Sequence, residues 1–395
     1  MFNATGNMGY KHFLQPINAA YFLIAINLTA LLWPVQLIEN YGYYQQCLLI
    51  ITNYLNPLIL FFYLCTFLVA KNKINLSNLF YSSVLYSILL IISSLGGSEP
   101  IKNILIGIFF SLSAVSILNI YIYNYVKWPI NTYITKLLIY WTTLPVVLLL
   151  FPDFRSLFID SIENSFHGFS GGRIEYGLWT TFAILLSITY RTSFNKYLLY
   201  VSLILMFTGL YLSQSRASFA ALAACLIYVA NKHYTSIILK LIFTFTVFIV
   251  LTLILLSWQY FGRQNVLELL NSSRLEIYTY YFNQISLDNI FLGYGGMNSI
   301  ALENGSVTQA HNLFIQWLSN WGIFGLLALL LFLYLFWKSL SSIYSKILFI
   351  ALLFYSLTQP VQGTANFFGP VTLIIFFIIM GIQCDCASKK TLPKS

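Results

Sequence analysis

Four side chains in this sequence have the type and the setting to act together on an anionic group: Arg173, Arg216, Arg274 and His311. Each arginine stands where a helix begins. Arg173 follows "SGG" and opens an apolar run, and Arg216 in "LSQSRASFAAL" falls in the first turn of another. In "SRLE", Ser273 and Glu276 have the N-cap and N3 spacing of a capping box, which puts Arg274 in the first turn. A helix start offers free N–H groups and the positive end of its dipole, and a guanidinium keeps its charge and grips phosphate with a two-pronged fork. Three such places suggest an anion site. The competing reading is that the arginines reach lipid headgroups or pair with nearby acids such as Glu175 and Glu276. His311 heads the stretch "HNLFIQWLSN" and is one of four histidines. An imidazole, neutral near pH 7, is suited to take a proton from a hydroxyl, although a lone histidine is as readily structural. His167, in the loop at 153–172, competes for the same role.

The elements that must position these residues are membrane spans. The chain has 395 residues, 59% apolar and 8% charged, which places it among polytopic membrane proteins built as one helical bundle. Apolar runs long enough to cross a bilayer fall at about 17–38, 46–70, 78–95, 104–124, 137–152, 174–190, 197–213, 217–231, 237–259, 322–337, 347–359 and 367–383. The expected fold is therefore all-α, a single transmembrane domain over 1–395 with about twelve transmembrane helices. One large polar segment, 260–321, separates spans nine and ten. The first run is too long for a signal-peptide apolar region and lacks a clear cleavage site, so it is expected to stay as a span.

Charge placement gives the orientation. With the N-terminus inside, 14 of the 20 basic residues lie in inner loops, as the positive-inside rule requires. Thirteen of fourteen lysines are inner, whereas five of six arginines are outer, and all acids but Asp385 are outer too. Lysine inside is explained by topology; arginine outside needs a ligand, and an anionic one arriving at the outer leaflet fits. The net charge of +9 reads as contact with anionic lipid and gives no case for nucleic acid.

In "HNLFIQWLSN", Asn312, Gln316 and Asn320 recur at a spacing of four, opposite a stripe of Leu313, Phe314, Trp317, Leu318 and Trp321. The pattern predicts an amphipathic helix at the membrane interface that turns at Gly322 into the next span. The "GYGGMNS" run allows a tight backbone turn, close to a ligand or simply as a loop. Five cysteines, none in a polar outer loop, argue against a disulfide framework, and the Cys384/Cys386 pair lacks partners for a metal site.

"LSQSRAS", then "SSRLEIYTYYFNQISLDNIFLGYGGMNS", then "QAHNLFIQWLSNWGIFGLL", in that order around a large outer loop, resemble the O-antigen ligase and polymerase family. The detailed likeness covers roughly 205–335. It implies a glycosyltransferase of the bacterial inner membrane, with cytoplasmic termini and a periplasmic active face, that moves a glycan from an undecaprenyl-diphosphate donor to an acceptor hydroxyl. The acceptor is lipid A-core in a ligase and another lipid-linked glycan in a polymerase; ligase is the favoured expectation. Carried over to matching positions, the resemblance implies that Arg216 and Arg274 hold the diphosphate as it leaves, with Arg173 beside them, and that His311 activates or positions the acceptor. Asn312, Tyr278 and Glu175 are supporting candidates. Inversion at the anomeric carbon is implied, and no cofactor or metal is expected, since two guanidinium groups can stabilise a departing diphosphate and no D-x-D occurs in the chain. A transporter would instead place ionisable groups at mid-membrane.

Overall fold

The computed structural model describes residues 78–96, 100–120, 130–160, 165–170, 172–259, 274–285, 289–295, 300–301, 307–308, 310, 312–358 and most of 372–383. In chain order the elements are α1 Asn78–Ser93, α2 Pro100–Ile120, α3 Ile130–Leu148 and α4 Pro152–Phe158, followed by β1 Ile159–Asp160 and β2 Ser165–Phe166. Then come α5 Arg173–Thr189, α6 Lys196–Ser213, α7 Arg216–His233, α8 Ile237–Gln259, α9 Arg274–Gln284, β3 Ile300–Ala301, β4 Val307–Thr308, α10 Leu313–Ser339 and α11 Ile343–Thr358. A last helical stretch covers Ile374–Gln383. The architecture is all-helical apart from two minimal antiparallel hairpins, β1–β2 and β3–β4.

Among the described residues three helices, Lys196–Ser213, Ile237–Ser257 and Leu313–Ser339, are long and apolar enough to cross a membrane. The expected spans at 17–38 and 46–70 lie outside the described residues. Helix bounds follow the hydropathy closely from α5 to α8. They depart at α2 and α3, which begin at Pro100 and Ile130, several residues before the apolar runs they carry. A helix ends where its hydrogen bonds end, which need not be where its apolar surface does.

At the centre is α5, packed against α3, α6, α7 and α11, with every residue from Tyr176 to Ser187 buried. Its counterpart is α10, which packs on α1, α2, α9 and α11. Behind α10 an aromatic cluster of Phe332, Phe336, Phe349 and Phe376 ties α10 and α11 to the last helical stretch. By contrast α8 buries none of its membrane-length stretch, Ile237–Ser257, and packs chiefly on α7, so its largely apolar surface is left for lipid.

Close approach of α5 and α7 depends on one glycine. A Cβ at Gly177 would stand 2.4 Å from Ser218 Oγ and 2.5 Å from Ser215 Oγ. Gly177→Ala is therefore expected to destabilise the bundle by about 1–3 kcal/mol through overpacking, read as a lowered Tm of the detergent-solubilised protein. An unchanged Tm would mean that the two helices separate without cost.

The turn expected at Gly322 is present. This residue has φ 63° and ψ −166°, so α10 is two helices joined at a kink. Breaking a helix frees backbone groups, and the loop at 289–295 satisfies them. The amides of Tyr294 and Gly295 donate to the carbonyls of Ser319 and Asn320 at 2.9 Å each, while the amides of Ile323 and Phe324 donate to Ile290 and Phe291 at 2.8 and 3.3 Å. Gly293 and Gly295 of the "GYGG" run serve this joint. A Cβ at Gly293 would lie 2.4 Å from the Asn320 carbonyl oxygen, and one at Gly295 would lie 2.4 Å from Asn103 Nδ2. Their close approach is to protein.

Candidate functional site

The starts of α5 and α7, the end of α11 and the start of α10 come together at one end of the bundle. The link is Tyr355, 1% exposed, one turn from the end of α11. Its hydroxyl donates to the carbonyl of Ile174, the residue after Arg173. The same oxygen lies 3.5 Å from Ser215 Oγ and 3.5 Å from Ser218 Oγ, on either side of Arg216 and Ala217. The two serine hydroxyls are themselves 2.7 Å apart. Arg173 and Arg216 thus sit on helix starts joined through one buried hydroxyl.

The arginines differ in setting. Arg216, the first residue of α7, is exposed. Arg173, the first of α5, is half-buried, and its Nη1 is buried. Glu175 is also half-buried. Neither α5 nor α7 has a side-chain cap: Gly172 precedes one, and the Ser215 hydroxyl that could close the other is turned to Ser218 and Tyr355. Elsewhere asparagine does cap, at Asn195 before α6 and at Asn312 before α10. The starts of α5 and α7, each bearing an arginine, are the ones without a side-chain cap in that comparison, and helix-start N–H groups and dipoles favour an anion.

The start of α10 is fixed to this assembly from two sides. Asn312 Oδ1 accepts from the amides of Phe314 and Ile315 at 3.0 and 3.2 Å, and its Nδ2 donates to the Leu357 carbonyl at 3.2 Å, one turn from Tyr355. On the other side the buried Gln316 Oε1 accepts from the Ala310 amide at 2.7 Å and from the Tyr281 hydroxyl at 3.3 Å. Gln316 Nε2 donates to Asn320 Oδ1 at 2.9 Å. His311 lies outside the described residues, between two neighbours, Ala310 and Asn312, that are both anchored. Arg274 begins α9, as its expected first-turn position requires, and α9 packs on α10 through Ile277, Tyr281 and Ala310, with Tyr278 against that cluster.

One expectation is corrected here. The polar side of "HNLFIQWLSN" does not face water at a membrane interface: Gln316 and Asn320 are fully buried, as are Trp317 and Trp321 on the other side. A spacing of four identifies a face but not its partner: the Tyr281 hydroxyl of α9 and the Ala310 amide just before α10 both donate to Gln316. The competing histidine, His167, is half-buried in the turn after β2, where Nδ1 lies 3.2 Å from the Gly168 carbonyl and 3.1 Å from that of Ser170. Two carbonyl neighbours make Nδ1 the protonated nitrogen, and the ring braces the turn.

Sequence reading missed Tyr355, Ser215 and Ser218 as members of the site. A tyrosine near the end of a span looks like one more interfacial aromatic; only its burial marks it out. Among the described residues no three His, Cys, Asp or Glu side chains converge as metal ligands.

Residues 201–330 match a family model described as O-Antigen ligase. This third of the chain includes Arg216, Arg274, His311 and Asn312; Arg173, Glu175 and Tyr355 lie outside it. No curated protein and no solved structure matches the chain.

Proposed function

We propose, from the match of residues 201–330 to the O-Antigen ligase family model and from helices long and apolar enough to cross a membrane, that the chain is an inverting, metal-independent glycosyltransferase of the bacterial inner membrane. Its donor is a glycan on undecaprenyl diphosphate and its acceptor a hydroxyl of lipid A-core, with catalysis on the periplasmic side. The twelve-span topology with cytoplasmic termini, and 260–321 as the periplasmic segment, belong to the same reading. The observation that carries it is the pairing of two uncapped helix starts, each bearing an arginine, through Tyr355.

The chemistry needs three things. Arg216, Arg274 and Arg173 neutralise the diphosphate, so that charge gained as the anomeric C–O bond breaks meets fixed guanidinium and N–H donors. The acceptor oxygen attacks the anomeric carbon from the opposite face, forming the new glycosidic bond and inverting the centre. His311 takes the acceptor's proton, and undecaprenyl diphosphate leaves with the bonding electron pair. Asn312 holds the backbone on one side of His311, Glu175 orients the cationic end of α5, and Tyr278 supports α9.

The test is transfer in vesicles holding the purified protein, an undecaprenyl-diphosphate-linked glycan and lipid A-core. We expect glycan on lipid A-core, at a rate that survives EDTA. A strict Mg²⁺ or Mn²⁺ requirement would overturn the metal-free mechanism. Lengthening of the lipid-linked glycan with no product on lipid A-core would make the protein a polymerase, with the same donor site.

A further inference from the structure

We infer that the end of the bundle opposite the arginines binds one anionic phospholipid, with its phosphate between Lys338 and Lys346 and an acyl chain along the exposed face of α10. This site is separate from the one proposed for the diphosphate. With 27 residues α10 is about 40 Å long, so Lys338 in its last turn stands a bilayer's thickness from Asn312 at its start. Leu327, Leu330 and Tyr334 recur at spacings of three and four on α10, and all are exposed. Lys338, also exposed, follows four residues later on the same face, with its Nζ 4.9 Å from the centre of the Tyr334 ring. An apolar stripe that ends on an ammonium matches an acidic lipid, acyl chain on the stripe and phosphate at its end.

A second ammonium reaches the same turn. Lys346 of α11 has its Nζ 5.0 Å from the centre of the ring of Trp337, the residue next to Lys338. Trp337 is half-buried between Tyr228 of α7 and Phe349 of α11, whose ring centres are 5.8 and 6.1 Å from its own. The dipole of its own helix accounts for Lys338, a cation in a last turn, but not for Lys346, which stands in the first turn of α11. No Asp or Glu occurs in α7, α10 or α11 to offset either charge. A lipid phosphate supplies negative charge to both lysines, and a half-buried indole beside them is what the headgroup level of a bilayer favours.

Native mass spectrometry of the full-length protein in detergent, titrated with phosphatidylglycerol or with phosphatidylcholine of the same chains, tests this. Phosphatidylglycerol should bind about 25-fold more tightly, the product of about fivefold for each lysine near the headgroup. Lys338→Gln and Lys346→Gln should each lose about fivefold of that preference. Because Lys338 is exposed, its variant reads out the site even where Lys346→Gln fails to fold. Lys196→Gln is the control: it removes the same charge at the same end of the bundle, from a lysine 5.0 Å from the Tyr197 ring on α6, and should change binding by less than about twofold. Millimolar inorganic phosphate should leave the lipid in place, since it has no chain to lie on the stripe. Equal binding of the two lipids, unchanged affinity in Lys338→Gln, an equal loss in Lys196→Gln, or displacement by inorganic phosphate overturns the inference.

Discussion

Replacing His311 with alanine is expected to lower transfer by about 10²- to 10⁴-fold, the range that a positioned proton acceptor contributes. Binding of farnesyl diphosphate should be unaffected, because the diphosphate is assigned to the arginines. The expectation rests on placement. The residues on either side of His311 are held by Gln316 and by Leu357, and Asn312 caps α10 on the same side as the open starts of α5 and α7. His167 provides the control. Its Nδ1 is occupied with backbone carbonyls, so His167→Ala should lower stability more than rate. Initial rates at saturating donor in vesicles decide between them, and a His311→Ala protein with wild-type turnover would remove the histidine from the mechanism.

What could be read from the sequence alone follows from what hydropathy measures. The bounds of α5, α6, α7 and α8 lie within two residues of the apolar runs that predict them, because a backbone with no water to bond satisfies its own groups as helix. The helix starts at Arg173, Arg216 and Arg274 were legible for a second reason: small or capping residues directly precede a charged residue that opens an apolar or periodic run. The turn at Gly322 announced itself as a glycine at the change from polar-faced to wholly apolar helix.

The rest depended on partners far away in sequence. Gln316 and Asn320 form a polar face whose environment is set by Tyr281 and the backbone of Ala310, so their burial cannot be deduced from spacing. Gly293 and Gly295 are shaped by the Gly322 kink, which they complete. Tyr355 meets Ser215 and Ile174 across 140 and 181 residues of chain. Nothing local distinguishes it from the other tyrosines, which in a membrane protein gather at span ends for reasons unrelated to catalysis.

Arg216→Lys separates charge from geometry at the centre of the proposed site. The side chain is exposed, and the helix start beneath it is built by Ser215, Ser218 and Tyr355, so folding should survive the exchange. Lysine keeps the positive charge and the attraction to the helix-start anion, but a single ammonium cannot bridge two phosphate oxygens in the plane that guanidinium matches. Loss of one such donor from a site where charge develops costs about 10²- to 10³-fold in turnover, and retained charge should limit the loss for lysine to about 10- to 10²-fold. Arg216→Gln, which removes charge as well, should fall in the full range, and donor binding should weaken for Gln more than for Lys. The order wild type, Lys, Gln in turnover is the signature of a fork that tightens as diphosphate departs. Equal turnover of the lysine variants at Arg216 and Arg274 with wild type would mean that neither arginine grips the leaving group, and that their place at helix starts serves lipid headgroups instead.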